Sequence, residues 1–411
     1  MNRTHQDTPP LTRYEIKIAG LNILLSTLGP FSMDSYVPSL PSMMHYFNTS
    51  AQVMQWSISL FLLSFALAQL ILGPFSDRFG RRPIILIGLL ITFIGALLCA
   101  SANSIPMLLL GRMIQGVGIA APNALVRSIM RDTFSGVRLA KMSSYTSMIF
   151  AVIPALAPIV GGLVQHYWGW RMNFSVMCAI ILFVGFIVFF TLPETNLHKN
   201  PKATTWPVVI KNYFFLAKSP IFMGYALCTS LASAGIIAYV TVSPFLFQIM
   251  MGISAREYGL LSTNIAIGFV IGSFINARLV HHFGIHNTMM MGIVIMFAAG
   301  LAMMIGGFAG FFNVLVIIIP FLIFTIGARF IFSNAVAGAF TPYATIAGVA
   351  AAFYGTLQNL CTSAGSFLLS GFHPSTQIPF AFMLTIIAVI SFVILRFWVI
   401  PAEHTRGPYR A

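Results

Sequence analysis

Long apolar stretches alternate with short polar ones along the whole chain. Twelve apolar stretches can be recognised, near residues 16–38, 53–75, 83–102, 106–130, 140–164, 172–192, 220–249, 257–279, 287–307, 311–338, 345–370 and 378–400. Because about 20 apolar residues in a helix cross a hydrocarbon core of about 30 Å, each stretch predicts a membrane-spanning helix. The longest polar interruption lies midway and predicts a linker, 193–219, between two six-helix bundles, 1–192 and 220–411.

The composition supports this pattern. The 411 residues are 58% hydrophobic and 7% charged, and the mean hydropathy is +0.89. A soluble domain of this size could not present so little charge to water, so we expect an all-α polytopic membrane protein. The net charge of +14 would favour nucleic-acid binding in a soluble chain. Here its position along the chain follows the rule for membrane proteins instead, and no nucleic-acid partner is expected.

Lysine and arginine divide unevenly between the two predicted faces of the membrane. Of the 22, 18 fall on the face that carries both termini, two fall on the opposite face (Arg171 and Arg256), and two lie within spans (Arg112 and Arg329). Because cytoplasmic loops are enriched in these residues, both termini are predicted in the cytoplasm. The first thirteen residues lack the short apolar run of a cleaved signal peptide, so we expect the first span to direct insertion.

The sequence does not predict a cofactor site or a metal site. The four cysteines lie within apolar runs, without the spacing of a disulfide framework or a metal site. No Walker-type phosphate loop occurs in the sequence, and the spans hold no cluster of histidines or acids of the kind found in membrane-embedded enzymes. We therefore expect a protein that is not an enzyme and needs no cofactor.

Asp34 is the only carboxylate inside a predicted span. An ionised aspartate near the middle of a membrane costs several kcal/mol, so it must face water, pair with a cation or stay protonated. Arg112 in span 4 lies about 9 Å below the outer boundary of the membrane, at 1.5 Å per residue, and Asp34 in span 1 lies at a similar depth below that boundary. These positions predict a pair that binds and releases a proton. The alternative is an aspartate that merely caps a helix end near Pro38 and Pro41.

A charged turn lies between spans 2 and 3, and its sequence is Gly73-Pro-Phe-Ser-Asp77-Arg78-Phe-Gly80-Arg81-Arg82. We expect Gly73 to allow close helix packing and Gly80 to allow a turn that a Cβ would hinder. Asp77 can pair with Arg81 or with the positive N-terminus of another helix. The pattern resembles the signature loop between helices 2 and 3 of the major facilitator superfamily of transporters; the alternative is a basic loop that only sets topology.

Three further patterns resemble the same superfamily. In span 4, Arg112-x-x-Gln115-Gly116-x-Gly118 is similar to its fourth-helix signature, and in span 5, Pro154-x-x-Ala157-Pro158-x-x-Gly161-Gly162 is similar to its antiporter motif. The prolines and glycines would let span 5 bend and pack closely against a partner. The run that begins at Met33 and continues through Asp34 to Pro41, with Trp56 beyond it, resembles the bicyclomycin/chloramphenicol-resistance branch of the twelve-span drug:proton antiporters.

This resemblance implies the major facilitator fold, two pseudo-symmetric six-helix bundles, and a proton-driven multidrug exporter of the bacterial inner membrane that works by alternating access. It implies that Asp34 and Arg112 couple transport to protons, and that Asp77 latches the cytoplasmic gate against the start of span 11, near 341–345. The expected partners are protons, the lipid bilayer and small amphiphilic drugs or metabolites, and a monomer is expected.

Two short sequence matches between the halves, each weak alone, support an internal repeat of six helices. Phe79-Gly80 is matched by Phe283-Gly284, and Gly116 with Asn123-Ala124 is matched at the same spacing by Gly327 with Asn334-Ala335.

The spans predicted to face a central cavity offer polar and aromatic candidates for the substrate site: Tyr36, Gln115, Asn123, Tyr145, Tyr239, Asn264, Tyr354 and Gln358. Such groups suit loose binding of mixed ligands, although each can equally join two helices. Arg329 is either a cavity cation, which would favour neutral or anionic amphiphiles over permanent cations, or a residue that bonds to backbone carbonyls or snorkels inward.

Three rival functions remain open at this point. One is a proton symporter that imports a small nutrient, which the span-5 pattern disfavours. Another is an exporter dedicated to one endogenous metabolite or siderophore. The third is a membrane receptor or scaffold that does not transport, which Asp34 and the charged turn disfavour.

Overall fold

The computed structural model describes residues 12–197, 199, 201, 204–372 and 376–406, and within these ranges the chain is helical, with no strand. The first half contains α1 (Arg13–Asp34), α2 (Leu40–Tyr46), α3 (Ala51–Phe79), α4 (Arg81–Ala100), α5 (Ile105–Thr133), α6 (Gly136–Trp168) and α7 (Trp170–Thr191). A short 3₁₀ turn, Val37–Ser39, joins α1 to α2.

The predicted linker contains one amphipathic helix, and the second half follows it. These helices are α8 (Trp206–Ala217), α9 (Pro220–Pro244), α10 (Ala255–Leu261), α11 (Asn264–Phe308), α12 (Val314–Phe340), α13 (Ala347–Ser370), α14 (Ile378–Val393) and α15 (Ile400–Arg406). A π-helical turn, Phe245–Met250, extends α9, and another, Ile394–Val399, joins α14 to α15.

The helices account for twelve crossings. Nine candidate spans are recognised by length and composition among the described residues. One of them, Ala255–Phe308, contains two crossings, because the helix breaks at Gly284, where φ is 73°. Helices α6 and α13, of 33 and 24 residues, are also long enough to cross. The described part of the chain therefore holds one crossing for each predicted apolar stretch.

The turns between crossings lie on two faces of the molecule. The face that holds the turn at Gly80 and the predicted linker is termed here the arginine-rich face. The face that holds the turns near 46–51, 100–105, 168–170 and 250–255 is termed the arginine-poor face.

Glycines bring neighbouring crossings close together in both halves. A Cβ on Gly88 of α4 would lie 2.7 Å from the carbonyl oxygen of Gly118 on α5, and a Cβ on Gly292 of α11 would lie 2.6 Å from the carbonyl oxygen of Gly327 on α12. Each of Gly88 and Gly292 follows a positive-φ glycine, Gly80 or Gly284, by eight residues. The two halves therefore use the same local device at corresponding places, as expected for a repeat.

The outer surface of the bundle is apolar. On α7, for example, Phe183, Phe186 and Phe190 are 62%, 66% and 67% exposed. Many polar side chains, such as those of Gln55, Thr92 and Asn173, are in contrast buried between helices. This arrangement suits a chain that has hydrocarbon around it and polar contacts inside it.

Among the described residues, the two halves contact each other chiefly along two helix pairs. Helix α13 lies along α3, and α10 packs against α6. The space enclosed between these pairs is the central cavity described below.

Candidate functional site

The central cavity has a volume of about 320 Å³ and is lined by both halves. Its polar lining consists of Asp34, Gln69, Asn123, Arg127, Tyr239, Tyr258, Ser262, Gln358 and Asn359, and most of the remaining lining is apolar. A volume in this range and a mostly apolar wall with a few polar groups are typical of sites for small organic ligands.

Asp34 is the last residue of α1 and lines the cavity at the point where the 3₁₀ turn follows. The residue is 8% exposed. Among the described contacts, its carboxylate has no hydrogen bond and no cation within ion-pair distance. Arg112 and Tyr258 lie near enough to act on it electrostatically. It is the only carboxylate among the described residues of the cavity wall, in agreement with its isolation in the sequence.

Arg112 lies behind Asp34 and is fully buried. Its guanidinium lies between the rings of Tyr36 and Phe61, 4.2 Å from each ring centroid. It donates to the backbone oxygens of Ser32 at 3.2 Å and Ser57 at 3.5 Å, and to the side chain of Gln115. Arg112 therefore lies at the level of the last turn of α1, as its depth in the sequence predicted. The structure places the two predicted partners close together but not in a direct ion pair.

The guanidinium of Arg112 is not fully satisfied. Its Nη2 atom is buried and has no hydrogen-bond partner among the described residues. A buried cation with a spare donor next to an unpaired carboxylate can change partners when that carboxylate gains or loses a proton.

The structure separates the other candidate cavity residues into groups. Asn123, Tyr239 and Gln358 line the cavity. Tyr36 and Gln115 surround Arg112 instead, and Tyr36 also makes a 3.0 Å hydrogen bond with Ser57.

The remaining four candidates lie outside the wall. Asn264 donates to the hydroxyl of Tyr239 at 3.0 Å from behind it. Tyr354 is buried and donates to Thr229, and Tyr145 is 47% exposed. Arg329 of α12 donates to Ser273 of α11 at 2.7 Å, so it bonds to a hydroxyl and not to a backbone carbonyl.

Arg127 is a cavity residue that the sequence interpretation missed. Charge counting assigned it to a cytoplasmic loop, but α5 continues to Thr133 and carries Arg127 into the wall of the cavity. The spacing of 15 residues from Arg112 was the available signal, because it places Arg127 within the length of a single membrane-crossing helix.

The proline and glycine pattern of span 5 lies on α6, which packs against α1 in its own half and against α10 in the other half. Pro154 and Pro158 line the cavity. A Cβ on Gly161 would collide with the backbone oxygen of Ser35, the residue that follows α1, and a Cβ on Gly162 would collide with the backbone oxygen of Ala255 at the start of α10. These two glycines therefore permit one contact within the first half and one contact between the halves.

The halves are joined towards the arginine-poor face. Ser59 of α3 donates to Ser366 of α13 at 2.8 Å, and Ser363 donates to the backbone oxygen of Ser59 at 2.8 Å. Gln248 donates to the backbone oxygen of Pro38 at 3.0 Å. Together with the α6–α10 contact, these bonds form a seal across the interface of the two halves. We term Ser59, Ser363 and Ser366 the serine contact.

The charged turn on the arginine-rich face is built around Arg81 and Gly80. Gly80 has φ 108°, and Arg81 bonds to Asp77 at 2.5 Å and to Asp132 of α5 at 3.1 Å. Glu194, which follows α7, accepts from the backbone nitrogen of Arg81 at 2.8 Å. The sequence left open whether Asp77 pairs with Arg81 or with the start of another helix, and in this structure it pairs with Arg81. The sequence gave no indication of Asp132 or Glu194, because their contacts span 51 and 113 residues.

The other members of this turn have separate roles. Arg78 donates to Thr204 in the linker at 2.7 Å, and Arg82 donates to the backbone oxygen of Phe189 at 2.6 Å. A Cβ on Gly73 would meet nothing within 4 Å, so close packing does not explain this glycine here. The segment Thr341–Ile346 is a 3₁₀ turn before α13, and the described contacts of Asp77 are with Arg81 and Asn196 and do not include this turn.

Comparisons with known proteins agree on one family. The family model of the Major Facilitator Superfamily matches residues 23–366. The chain is 28% identical over 375 residues to the bicyclomycin resistance protein homolog of Haemophilus influenzae, covering 90% of this chain and 92% of that protein. It is 29% identical over 338 residues to multidrug resistance protein D of Escherichia coli, covering 82% and 84%. It is 31% identical over 388 residues to the uncharacterized MFS-type transporter YdgK of Bacillus subtilis, covering 93% and 95%.

Solved structures show the same fold. The xylose transporter XylE of Escherichia coli in a partially occluded inward open conformation superposes with a TM-score of 0.73 at 15% identity, covering 94% of this chain and 98% of that chain. An inward-facing bacterial homolog of the human lysosomal transporter Spinster gives a TM-score of 0.68 at 17% identity, covering 96% of each chain.

Proposed function

Because this chain belongs to the Major Facilitator Superfamily, we propose that it is a proton-coupled multidrug exporter of a bacterial inner membrane. The relatives named for bicyclomycin resistance and multidrug resistance support drugs as the exported class. The predicted halves, 1–192 and 220–411, would expose the cavity alternately to the two sides of the membrane, with 193–219 as the linker between them. The transported molecules would be small amphiphilic compounds, with the proton gradient as the energy source and no cofactor.

The observation that carries the proposal is the position of Asp34. It is the one carboxylate among the described residues of the cavity wall, and the buried cation Arg112 lies beside it. A carboxylate in this position can hold a proton in one state of the cavity and a substrate in another, which is the exchange that an antiporter needs.

The exchange follows from charge. When Asp34 is ionised, Arg112 and a substrate that bears a positive charge or donates hydrogen bonds compete for it. When a proton neutralises Asp34, its attraction for both falls, and the substrate is released. Arg112 can rotate towards Asp34 in the absence of substrate, because its Nη2 atom has no partner to lose.

The distribution of lysine and arginine indicates which side of the membrane each face lies on. We place the arginine-rich face and both termini in the cytoplasm, with the arginine-poor face outside. The serine contact then closes the outer side in this conformation. In the opposite conformation, Asp77 would leave its exposed position beside Arg81 and interact with the start of α13, which is the proposed latch.

The test is drug-stimulated proton movement in proteoliposomes, with chloramphenicol as the probe and Asp34→Asn as the variant. We expect the wild type to move protons against chloramphenicol and the neutral variant to move none, because its side chain has no titratable proton. Glu257→Gln is the matched control: Glu257 caps α10 in contact with Ser254 and does not belong to the described cavity wall, and this variant should couple normally.

Two outcomes would contradict the proposal. Normal coupling by Asp34→Asn would show that the proton binds elsewhere. Movement of protons and drug in the same direction by the wild type would replace the exporter with a symporter.

A further inference from the structure

Arg127 is the second charged residue among the described residues of the cavity wall. Its side chain is exposed to the space between the halves. Within the part of the chain that the structure describes, no hydrogen bond and no ion pair is found for its guanidinium. Its electrostatic neighbours are Tyr354 and a second cation, Arg131. The guanidinium of Arg127 is therefore a positive group of the cavity wall that is not paired with a carboxylate among the described residues.

The two charges of the wall lie at different depths. Asn123 contacts Gly29, five residues before Asp34 on α1, and Arg127 lies four residues beyond Asn123 on α5. These offsets separate the charges along the bundle by on the order of 10 Å, at 1.5 Å per residue. Because α5 runs from the arginine-poor face to the arginine-rich face, Arg127 lies on the arginine-rich side of Asp34.

The wall between the two charges is neutral. It carries the amides of Gln69, Asn123, Gln358 and Asn359, and apolar side chains such as Phe65. The amides can hydrogen-bond to a ligand but cannot neutralise a guanidinium. An anion held in this space by Arg127 would be bound more strongly than in water, because the surroundings are poorly polarisable, and the planar guanidinium matches a carboxylate with two parallel bonds.

We propose that Arg127 is the anion-binding group of the cavity, and that the preferred substrates are zwitterionic amphiphiles. Such a molecule would place a protonated amine near ionised Asp34 and a carboxylate near Arg127, on the order of 10 Å apart. This inference rests on the proposed export function, because it names the substrate class of the same cavity. It replaces Arg329, which bonds to Ser273 and is not part of the described wall, as the cation that selects substrates.

The test uses two ligands that differ in one group. Norfloxacin carries an amine and a carboxylate, and its ethyl ester keeps the amine and loses the negative charge. Equilibrium binding to the purified full-length protein at neutral pH is measured for both, for the wild type and for Arg127→Gln. We expect the wild type to prefer the acid to the ester by about tenfold, the effect of one charge-assisted hydrogen-bond pair. Arg127→Gln should lose this preference, because the substitution should weaken the binding of norfloxacin and leave the binding of its ester unchanged.

Two variants serve as controls. Arg127→Lys keeps the charge without the planar fork and should retain part of the preference. Arg131→Gln removes a positive charge from the same helix, one turn away, at a residue that contacts α13 near Gly348 and does not belong to the described wall. It should leave the preference for the acid unchanged.

Three results would overturn the inference. One is a wild type that binds neither ligand, or binds both equally. Another is an equal loss of both ligands in Arg127→Gln, which would indicate a structural role. The third is an equal loss of preference in Arg131→Gln, which would indicate that the overall positive charge of this part of α5, and not contact with Arg127, attracts the carboxylate. Because binding needs no proton gradient, failure of proton coupling in the chloramphenicol experiment can be told apart from failure here.

Discussion

Arg112 keeps a buried charge in the fold at a cost in stability. Its charge is fully buried, and no carboxylate bonds to it in this conformation. Two aromatic rings, two backbone oxygens and the Gln115 side chain take the place of a counterion. Cation–π contacts and carbonyl bonds offset part of the desolvation of a guanidinium, but they do not satisfy its Nη2 atom.

This leads to a prediction for Arg112→Met. Arg112 has no ion-pair partner, so an apolar side chain of similar length removes the desolvation cost of a buried guanidinium, which amounts to several kcal/mol for one ion. Methionine also suits the space between the rings of Tyr36 and Phe61. We therefore expect the melting temperature in detergent to stay the same or to rise, while chloramphenicol-driven proton movement falls to the level of empty liposomes. A variant that lost stability and kept coupling would contradict both parts.

At the same scale, the sequence located the rare charges well and their partners poorly. Asp34 could be found because an aspartate is conspicuous in an apolar stretch. Arg127 was assigned to the wrong environment, because a charge near the end of an apolar stretch looks the same whether its helix stops there or continues. Contacts of Glu194 and Asp132 with Arg81 depend on how distant helices come together, and no local pattern encodes that arrangement.

At the scale of elements, the twelve crossings, the all-α fold and the family predicted from the motifs are confirmed. Hydropathy predicts a crossing because the hydrocarbon thickness fixes its length. It did not predict the short helices α2 and α10, since each continues a neighbouring crossing without a polar break. The break at Gly284 falls in the interval between the predicted stretches 257–279 and 287–307, and its likeness to the turn at Gly80 pointed to the same place. Both glycines have positive φ, a conformation that side chains rarely adopt.

The turn between α3 and α4 provides a prediction at this scale. Gly80→Ala would force a Cβ into a positive-φ position that glycine alone adopts readily, at a cost of about 1–3 kcal/mol. The Cβ would also lie 2.7 Å from the carboxyl carbon of Glu194, which would have to release the nitrogen of Arg81. We expect a lower melting temperature in detergent and weaker transport.

Gly73→Ala is the matched control for Gly80→Ala. Gly73 lies inside α3 with open space around it, and alanine is favoured over glycine in a helix by up to about 1 kcal/mol. Its melting temperature should be unchanged or slightly higher. Equal destabilisation by the two substitutions would mean that the contact with Glu194 and the backbone conformation do not account for Gly80.

At the scale of the whole molecule, the arrangement of contacts between the halves determines which side of the cavity is closed. The sequence could indicate two halves, but a repeat has no preference for one conformation over the other, and the seal becomes visible only in the structure. The serine contact joins α3 to α13 across the halves. Thr241 of α9 lies 3.1 Å from the same Ser366 but belongs to the same half. One residue thus takes part in a bond that alternating access must break and in a bond that it can keep.

This pair of bonds makes alternating access testable with cysteines. In a background without the native Cys99, Cys178, Cys228 and Cys361, Ser59→Cys with Ser366→Cys places two thiols where hydroxyl oxygens are 2.8 Å apart, within reach of a disulfide. Oxidation should stop chloramphenicol transport, and a reductant should restore it, because the crosslink holds the halves in one conformation. Thr241→Cys with Ser366→Cys should also crosslink but leave transport unchanged. Continued transport with α3 linked to α13 would mean that this seal does not open during the cycle, and the two halves would then have to move about a different line of contact.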